Sequence, residues 1–431
     1  MIPKVRNRIE QIRHGNVPEG YQETILGIAP KVWRKSRVDE ICRLSSGSTP
    51  RRDNAENFEG DILWITSGEL KKRTITDTQE RISEEAAISS HLEMYEPGTV
   101  AIAIYGLEAA GIRGTASIIG RRCTISQACM AFTHFQDVNN EFFYYWYLNN
   151  GQTIGLRYAQ GTKQQNLSTD IVGAFPICFP SLQEQKKIAE ILTMQDKVIE
   201  LKEKRLAEKQ RQKKYLMQQF LTGKKRLPGF DGEWKAAKLS EVLLERKEKN
   251  AKQGYRICSV AVQKGVVDQI EHLGRSYAAA DTSNYGVARY GDIIYTKSPT
   301  GDFPYGIIKQ SQMNEAVAVS PLYGIYEPGC YELGYILHTF FGYAVNCSNY
   351  LLPIIQKGAK NTINITNEVF TSNKLLLPMD HNEQKALAEI FIAADKEIDL
   401  LRQDVELEKQ KKKALMQLLL TGIVRVLNGH F

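Results

Sequence analysis

Apolar residues recur at steps of four and three along two long stretches of this 431-residue chain. In the first, Ile188, Leu192, Ile199, Leu206, Leu216 and Phe220 share one phase with Gln195, Lys202, Lys209 and Lys213. In the second, Leu387, Phe391, Ala394, Ile398, Leu401 and Val405 run on through Glu408 and Lys412 to Leu415 and Leu419. The spacing predicts two long helices, each with a heptad seam that is apolar at its ends and polar in its middle. No glycine or proline interrupts either stretch. Gly223 and Gly422 supply the left-handed cap that stops a helix, and Pro180-Ser181 and Pro378-Met379-Asp380 mark where the two helices begin. Some 38 helical residues reach about 57 Å. A helix that long, apolar on one seam only, wants a partner of equal length. The other helix is the obvious one, packed antiparallel as a spacer.

The two stretches are copies of each other. Aligned without a gap, 184–223 and 383–422 are identical at 18 of 40 positions. Both begin Glu-Gln-Lys and both end in Leu-Met-Gln and Leu-Thr-Gly. Ahead of each stretch lie short β-type runs: Ile62–Ile65, Val100–Tyr105 and Ala116–Ile119 before the first, and Ile257–Val262, Asp292–Thr296 and Val317–Ser320 before the second. Helical stretches are expected near 139–150 and 331–345. The fold class is therefore α+β: two similar mixed α/β domains separated by two long antiparallel helices, a coiled-coil spacer with an internal pseudo-two-fold repeat. The segments are an N-terminal extension (1–34), a first domain (35–181), a spacer helix (182–223), a turn-rich linker (224–237), a second domain (238–380), a second spacer helix (381–422) and a C-terminal tail (423–431).

The two domains open alike, at Trp33 and Trp234, and close alike, at Gly161–Ser168 and Gly358–Thr366, but their middles diverge. A duplicated scaffold with unlike surfaces suits an asymmetric, bipartite target, and duplex DNA is the commonest partner with two-fold character. Net charge is only +7, but it is unevenly placed. Residues 202–226 hold ten Lys/Arg against two Glu, and residues 1–52 hold eleven against five Asp/Glu. Such strips are read either as phosphate-facing surface or as solvated helix face.

Chemistry of an enzymatic kind is missing. There is no GxxxxGK[ST] loop, no Asn/Asp-Pro-Pro run for an amino-methyltransferase and no glycine fingerprint for a nucleotide cofactor. Asp231, Glu233 and Lys235 resemble a nuclease set only superficially, since no strand is expected beneath them. Seven cysteines form no CxxC pair and seven histidines show no ligand spacing, so no metal site is expected and the cysteines read as reduced thiols of a cytoplasmic protein. No apolar run approaches a membrane span, and the basic start lacks a signal peptide's apolar stretch.

Binding features are better represented. Lys71, Lys72 and Arg73 follow a strand; Tyr105 and Arg113 frame a small-residue loop; Lys163, Gln164 and Asn166 sit in an amide-rich loop. In the second half Tyr295, Lys297 and Ser298 follow a strand, and Lys360 and Asn361 sit in a second amide-rich loop. Arg and Lys pair with guanine edges or phosphates, and Asn and Gln match adenine. These positions are the candidate DNA-binding residues; ordinary turn formation is their structural alternative.

Glu184–Ile191, Glu383–Ile390, the Leu-Met-Gln…Leu-Thr-Gly endings, the linker Leu227-Pro228-Gly229-Phe230-Asp231-Gly232-Glu233-Trp234 and the run Ile62–Gly68 together resemble the specificity (S) subunit of type I restriction-modification systems. The resemblance spans nearly the whole chain; residues 1–33 fit it less clearly. It implies a non-catalytic chain that reads a split DNA site through two target-recognition domains. Two methyltransferase subunits bind S-adenosylmethionine and methylate adenine, and restriction subunits use ATP and Mg, so no cofactor is implied for this chain. Other classes are a coiled-coil assembly adaptor that binds DNA without sequence preference, and a fused restriction enzyme.

Overall fold

The computed structural model describes residues 3–25, 27–161, 165–251, 254–275, 278, 281–357 and 363–426. Four helices organise it: α1 (Asn140–Tyr158), α2 (Leu182–Phe220), α3 (Tyr331–Phe341) and α4 (His381–Leu420). The chain divides into two compact units, 1–202 with 404–431, and 203–403. This division cuts across the segments expected from sequence. Each unit takes one mixed α/β domain and half of each long helix.

In unit 1 a five-stranded sheet runs in the order Arg43–Ser46, Cys129–Thr133, Val100–Ala103, Ala116–Ile119, Thr74–Ile75; only the last pair is parallel. A three-stranded sheet joins Cys123–Ile125, Ile62–Ile65 and Arg81–Ile82. The residues of α1 pack almost all round, with Phe142, Phe143, Tyr145, Trp146 and Tyr147 buried. That explains why α1 shows no amphipathic period: a helix buried on every side has no polar stripe. Asn139 caps it, accepting the Phe142 N–H at 2.9 Å.

Unit 2 is built on two four-stranded sheets. One is wholly antiparallel, in the order Leu243–Glu245, Gly324–Pro328, Ile293–Tyr295, Ile308–Gln310. The other runs Gly265–Asp268, Arg256–Ala261, Val317–Val319, Gly286–Ala288. Tyr295, Tyr326 and Phe370 stack at its centre, with centroids 4.6 and 5.0 Å apart.

The helix halves meet inside each unit. In unit 1 Ile188 and Leu192 of α2 share a core with Met416, Leu419 and Leu420 of α4. In unit 2 Met217 and Leu221 share one with Leu387 and Phe391. Ile199, Ile398 and Val405 are also buried, and Leu206, Leu216, Leu401 and Leu415 are half-buried. The polar middle of the seam is satisfied by pairing. Gln195 donates to Glu408 (2.6 Å), and Lys202 bridges Asp404 and Glu408 (both 2.8 Å). Lys412 pairs with Asp196 (2.6 Å), Lys209 with Glu397 (2.9 Å) and Lys213 with Asp395.

A buried carboxylate anchors the start of each long helix. Glu184 is 2% exposed and takes both arms of Arg425 at 2.7 Å; Glu383, also 2% exposed, takes Arg226 at 2.8 and 2.7 Å. Gly422 must be glycine here. Its φ is +69°, and a Cβ would lie 2.5 Å from the ring of Pro30. The N-terminal segment closes over the same place. Arg8 donates to the Ile423 carbonyl (3.0 Å) and Tyr21 to the Gly422 carbonyl (2.7 Å). Residues 3–34 thus have a structural role that the sequence left open. Among the described residues no helix is long and apolar enough to cross a membrane.

Removing one member of a buried pair leaves the other charged and uncompensated. Arg425→Ala is expected to destabilise unit 1 by about 3–5 kcal/mol, read as an earlier urea transition. The Glu408 carboxyl is pulled down to about 2 by its bond to Lys202, and then by that to Gln195. Its contribution is therefore complete above the ordinary carboxylate range and lost as pH falls toward 2. Thermal melts of the parent and of Glu408→Gln are expected to differ at pH 7 and to converge near pH 2.

Candidate nucleic-acid interface

Lys71 and Lys72 follow the short turn Ser67–Glu69 and both are exposed. The turn is held by Glu69, which accepts the Thr66 N–H (2.8 Å) and the Gln79 N–H (2.7 Å) and so ties two loops together. The backbone of Lys72 is fixed by Ser117, which donates to its carbonyl at 2.6 Å. The two ammonium groups thus stand on a rigid base, beside a shallow cleft of about 380 Å³ that also takes in Thr76, Asp77 and Gln79. A fixed backbone bearing free cations is suited to phosphate contact.

Arg73 does not belong with them. Its guanidinium is half-buried and bonds Glu141 (2.7 Å), Thr193 (3.1 Å) and the Tyr145 hydroxyl (3.3 Å). That hydroxyl also donates to Asp196 at 2.7 Å. Arg73 pins the domain to α1 and α2 and is corrected from reader to scaffold.

Tyr105, Arg113 and Asn166 come together where two loops are knitted. Leu107 N–H donates to the Gln165 carbonyl (3.0 Å), Gln165 N–H to Glu108 (2.8 Å), and Gln160 and Asn166 exchange backbone bonds at 2.8 and 2.9 Å. Arg113 donates to the Gln165 side chain, and Asn166 accepts the Gly106 N–H at 3.4 Å. Both are occupied within the loop pair, whereas Tyr105 is 39% exposed. Lys163 and Gln164 lie outside the described residues, as do Lys360 and Asn361.

In unit 2 Tyr295 is fully buried. Its hydroxyl donates to the Tyr305 carbonyl (2.8 Å) and its ring stacks on Phe370. It is a core residue, and its assignment as a DNA contact is corrected: both faces of its sheet are covered, so no side chain of that strand reaches solvent. Lys297 and Ser298 follow after the buried Thr296, the first half-buried and the second exposed. Lys297 is in the left-handed region at φ +57°, and burial pushes its ammonium down from the usual lysine range.

The basic strip at 202–226 is half neutralised. Lys202, Arg205, Lys209, Lys213 and Arg226 are ion-paired to acidic groups of α4, whereas Lys204, Arg211, Lys214, Lys224 and Lys225 are exposed. The strip is thus partly the glue of the helix pair.

Sequence reasoning missed Lys309 and His338. They line a cavity of about 540 Å³ in unit 2 together with Lys213, Tyr331, Tyr335 and Asp395. Lys309 is 7% exposed, and burial pushes its ammonium down to about 8. Burial, reinforced by Lys309 and Lys213, pushes His338 down to about 3, and its Nδ1 accepts the Gln310 N–H at 3.1 Å. Nothing in the run Ile308-Lys309-Gln310 marks it as a buried strand, so no local signal could have found this pair.

Residues 30–210 match the family model described as the Type I restriction modification DNA specificity domain. The Type I restriction enzyme MjaIX specificity subunit of Methanocaldococcus jannaschii is 28% identical over 188 residues, 43% of this chain and 42% of that protein. The MjaVIII specificity subunit of the same organism is 22% identical over 430 residues, 93% of this chain and 95% of that protein. The EcoR124I/EcoR124II specificity subunit of Escherichia coli is 25% identical over 175 residues, 40% and 43% of the two chains. The chain thus spans about two fifths of the first and third relatives and nearly all of the second. A solved S subunit of a type I restriction-modification system from M. genitalium has the same fold, with a TM-score of 0.58 at 13% identity over 90% of this chain and 96% of that one. A chain from a study of complex assembly in the type I system gives 0.52 at 15% identity, over 92% and 99%. Residues 30–210 thus match the type I DNA specificity domain, and the chain is similar over nearly its whole length to a type I specificity subunit.

Proposed function

We propose that this chain reads a bipartite, asymmetric DNA site for a type I methyltransferase/restriction complex and performs no catalysis itself. Each domain recognises one half-site. The two long helices, acting as an antiparallel coiled-coil spacer within a pseudo-two-fold repeat, fix the unspecified gap between the half-sites. Two methyltransferase subunits dock on this scaffold and methylate adenine with S-adenosylmethionine. Restriction subunits, with ATP and Mg, complete the machine in the cytoplasm. Those cofactors belong to the partner chains.

The observation that supports this reading best is the contrast between shared anchors and unlike sheets. Glu184 with Arg425 and Glu383 with Arg226 make the same clamp at positions 199 residues apart. Asp196, with Tyr145 and Lys412, is matched by Asp395, with Tyr335 and Lys213. The domains carried on these anchors are different, a five- and a three-stranded sheet against two of four strands. Equal mounts bearing unlike surfaces fit a protein that must hold two different sequences at one separation. In the first domain Lys71 and Lys72 serve phosphates and Tyr105 is the exposed ring; in the second, Lys297 and Ser298 lead the contact surface.

Inserting four residues, one turn or about 6 Å, into the 202–209 stretch is expected to lengthen the tolerated gap by about one to two base pairs, with both half-sites unchanged. Methylome sequencing of DNA modified by the reconstituted complex reads this directly, and an unaltered gap rules the spacer out. Lys71→Ala and Lys72→Ala are each expected to weaken DNA binding for every sequence alike and to lower the salt slope by about 1. Binding isotherms at several salt concentrations check it; a change of sequence preference instead would make these lysines base readers.

A further inference from the structure

The starts of α3 and α4 meet in unit 2, and three unlike donor groups meet with them. Cys330 is the N-cap of α3: its Sγ accepts the Leu333 N–H at 3.4 Å, and its thiol donates to Gln384 Oε1 at 3.1 Å. Glu332 lies in the first turn of α3 and His381 opens α4. The Cys330 sulfur, a Glu332 carboxylate oxygen and a His381 ring nitrogen all lie within 4.8 Å of one another. Cys330 and Glu332 are half-buried and His381 is exposed, so the cluster is framed by protein yet open on one side.

Unit 1 has neither of the two stronger donors at its matching place. There α1 is capped by Asn139, and Leu182 stands 199 residues before His381. A thiol and an imidazole are therefore present together in one unit and missing together in the other. His381 lies 51 residues beyond Cys330, which is why spacing alone predicts no metal site.

We propose that Cys330, Glu332 and His381 bind one zinc ion. Thiolate, imidazole and carboxylate form a mixed donor set that suits this borderline cation, and three protein ligands leave a fourth tetrahedral position for water. Bond lengths of about 2.3 Å to sulfur and about 2.0–2.1 Å to nitrogen require the donors to draw together slightly, which the exposed His381 ring permits by rotation. Binding releases the thiol proton to solvent. The resulting negative sulfur sits at the N-terminus of α3, where the Leu333 N–H already points at it. Gln384, held by its bond to the Pro378 carbonyl (2.8 Å), keeps Oε1 as an acceptor for the metal's water. The ion then staples the domain helix α3 to the long helix α4 within unit 2, a structural clamp that is independent of how the DNA is read.

The test is a cobalt titration of the full chain after chelator treatment, followed by displacement with zinc. One equivalent of cobalt is expected to give a thiolate-to-cobalt charge-transfer band that zinc abolishes, and zinc is expected to raise the melting temperature. Cys330→Ser keeps a good N-cap, so the variant folds, and the band is expected to vanish; His381→Asn, at an exposed position, is expected to weaken binding strongly. No stoichiometric binding in the parent overturns the proposal. A band that survives in both variants also overturns it, because one of the other cysteines would then be the ligand.

Discussion

Two carboxylates out of reach of water set the terms for this fold. Glu184 and Glu383 each open a long helix from inside the protein, and a buried anion is tolerated only when a cation and further donors surround it. Arg425 and Arg226 supply the cations, each forked across both oxygens of its partner. The consequence for Arg425 is topological. It lies just past the end of α4, so the end of the chain must return to the beginning of α2. The N-terminal segment is drawn in as well, through Arg8 and Tyr21 on the Ile423 and Gly422 carbonyls. Unit 1 is closed by residues from both ends of the sequence because one glutamate must be neutralised.

The polar centre of the helix seam follows the same logic with softer penalties. A wholly apolar seam would let two long helices slide by a heptad at little cost, whereas a lysine opposite the wrong residue loses its partner. Lys202, Lys209, Lys213 and Lys412 each find an acid across the seam. Asp196 and Asp395 also accept from Tyr145 and Tyr335 of the domains. The register of the helices and the seating of each domain are therefore fixed through the same carboxylates. That coupling explains why residues spaced like a coiled-coil core include so many charges.

Much of this was legible in the sequence, for physical reasons. A 3.6-residue period sustained over 39 or 40 residues leaves little room for error, and the left-handed glycines end both helices where expected. The strands Ile62–Ile65 and Ala116–Ile119 were visible as short β-branched runs. Side-chain fate was not. Tyr295 reads as a polar-tipped aromatic after a strand, but covered sheet faces turn it inward. Arg73 looks like its lysine neighbours until Glu141, distant in sequence, claims it. The charge strip at 202–226 reads as a surface because its acids lie far along the chain, beyond any local window. Long-range pairing decides each of these cases, and a single sequence carries no record of it.

The small differences between the two mounts are as informative as their likeness. Trp234 donates to Glu383 at 3.1 Å, but the indole N–H of Trp33, its counterpart beside Arg425, is buried without a hydrogen-bond partner among the described residues. Around Tyr145 the arginine Arg73 is bonded on three sides, whereas near Tyr335 a buried lysine, Lys309, faces a cavity. A buried indole N–H with a partner is the better-satisfied arrangement, and only one of the two places has it. Here the clamp glutamates Glu184 and Glu383 and the acids Asp196 and Asp395 are kept, whereas Asp404, Glu408 and Glu397 stand opposite Arg205, Lys209 and Val198 of the other copy.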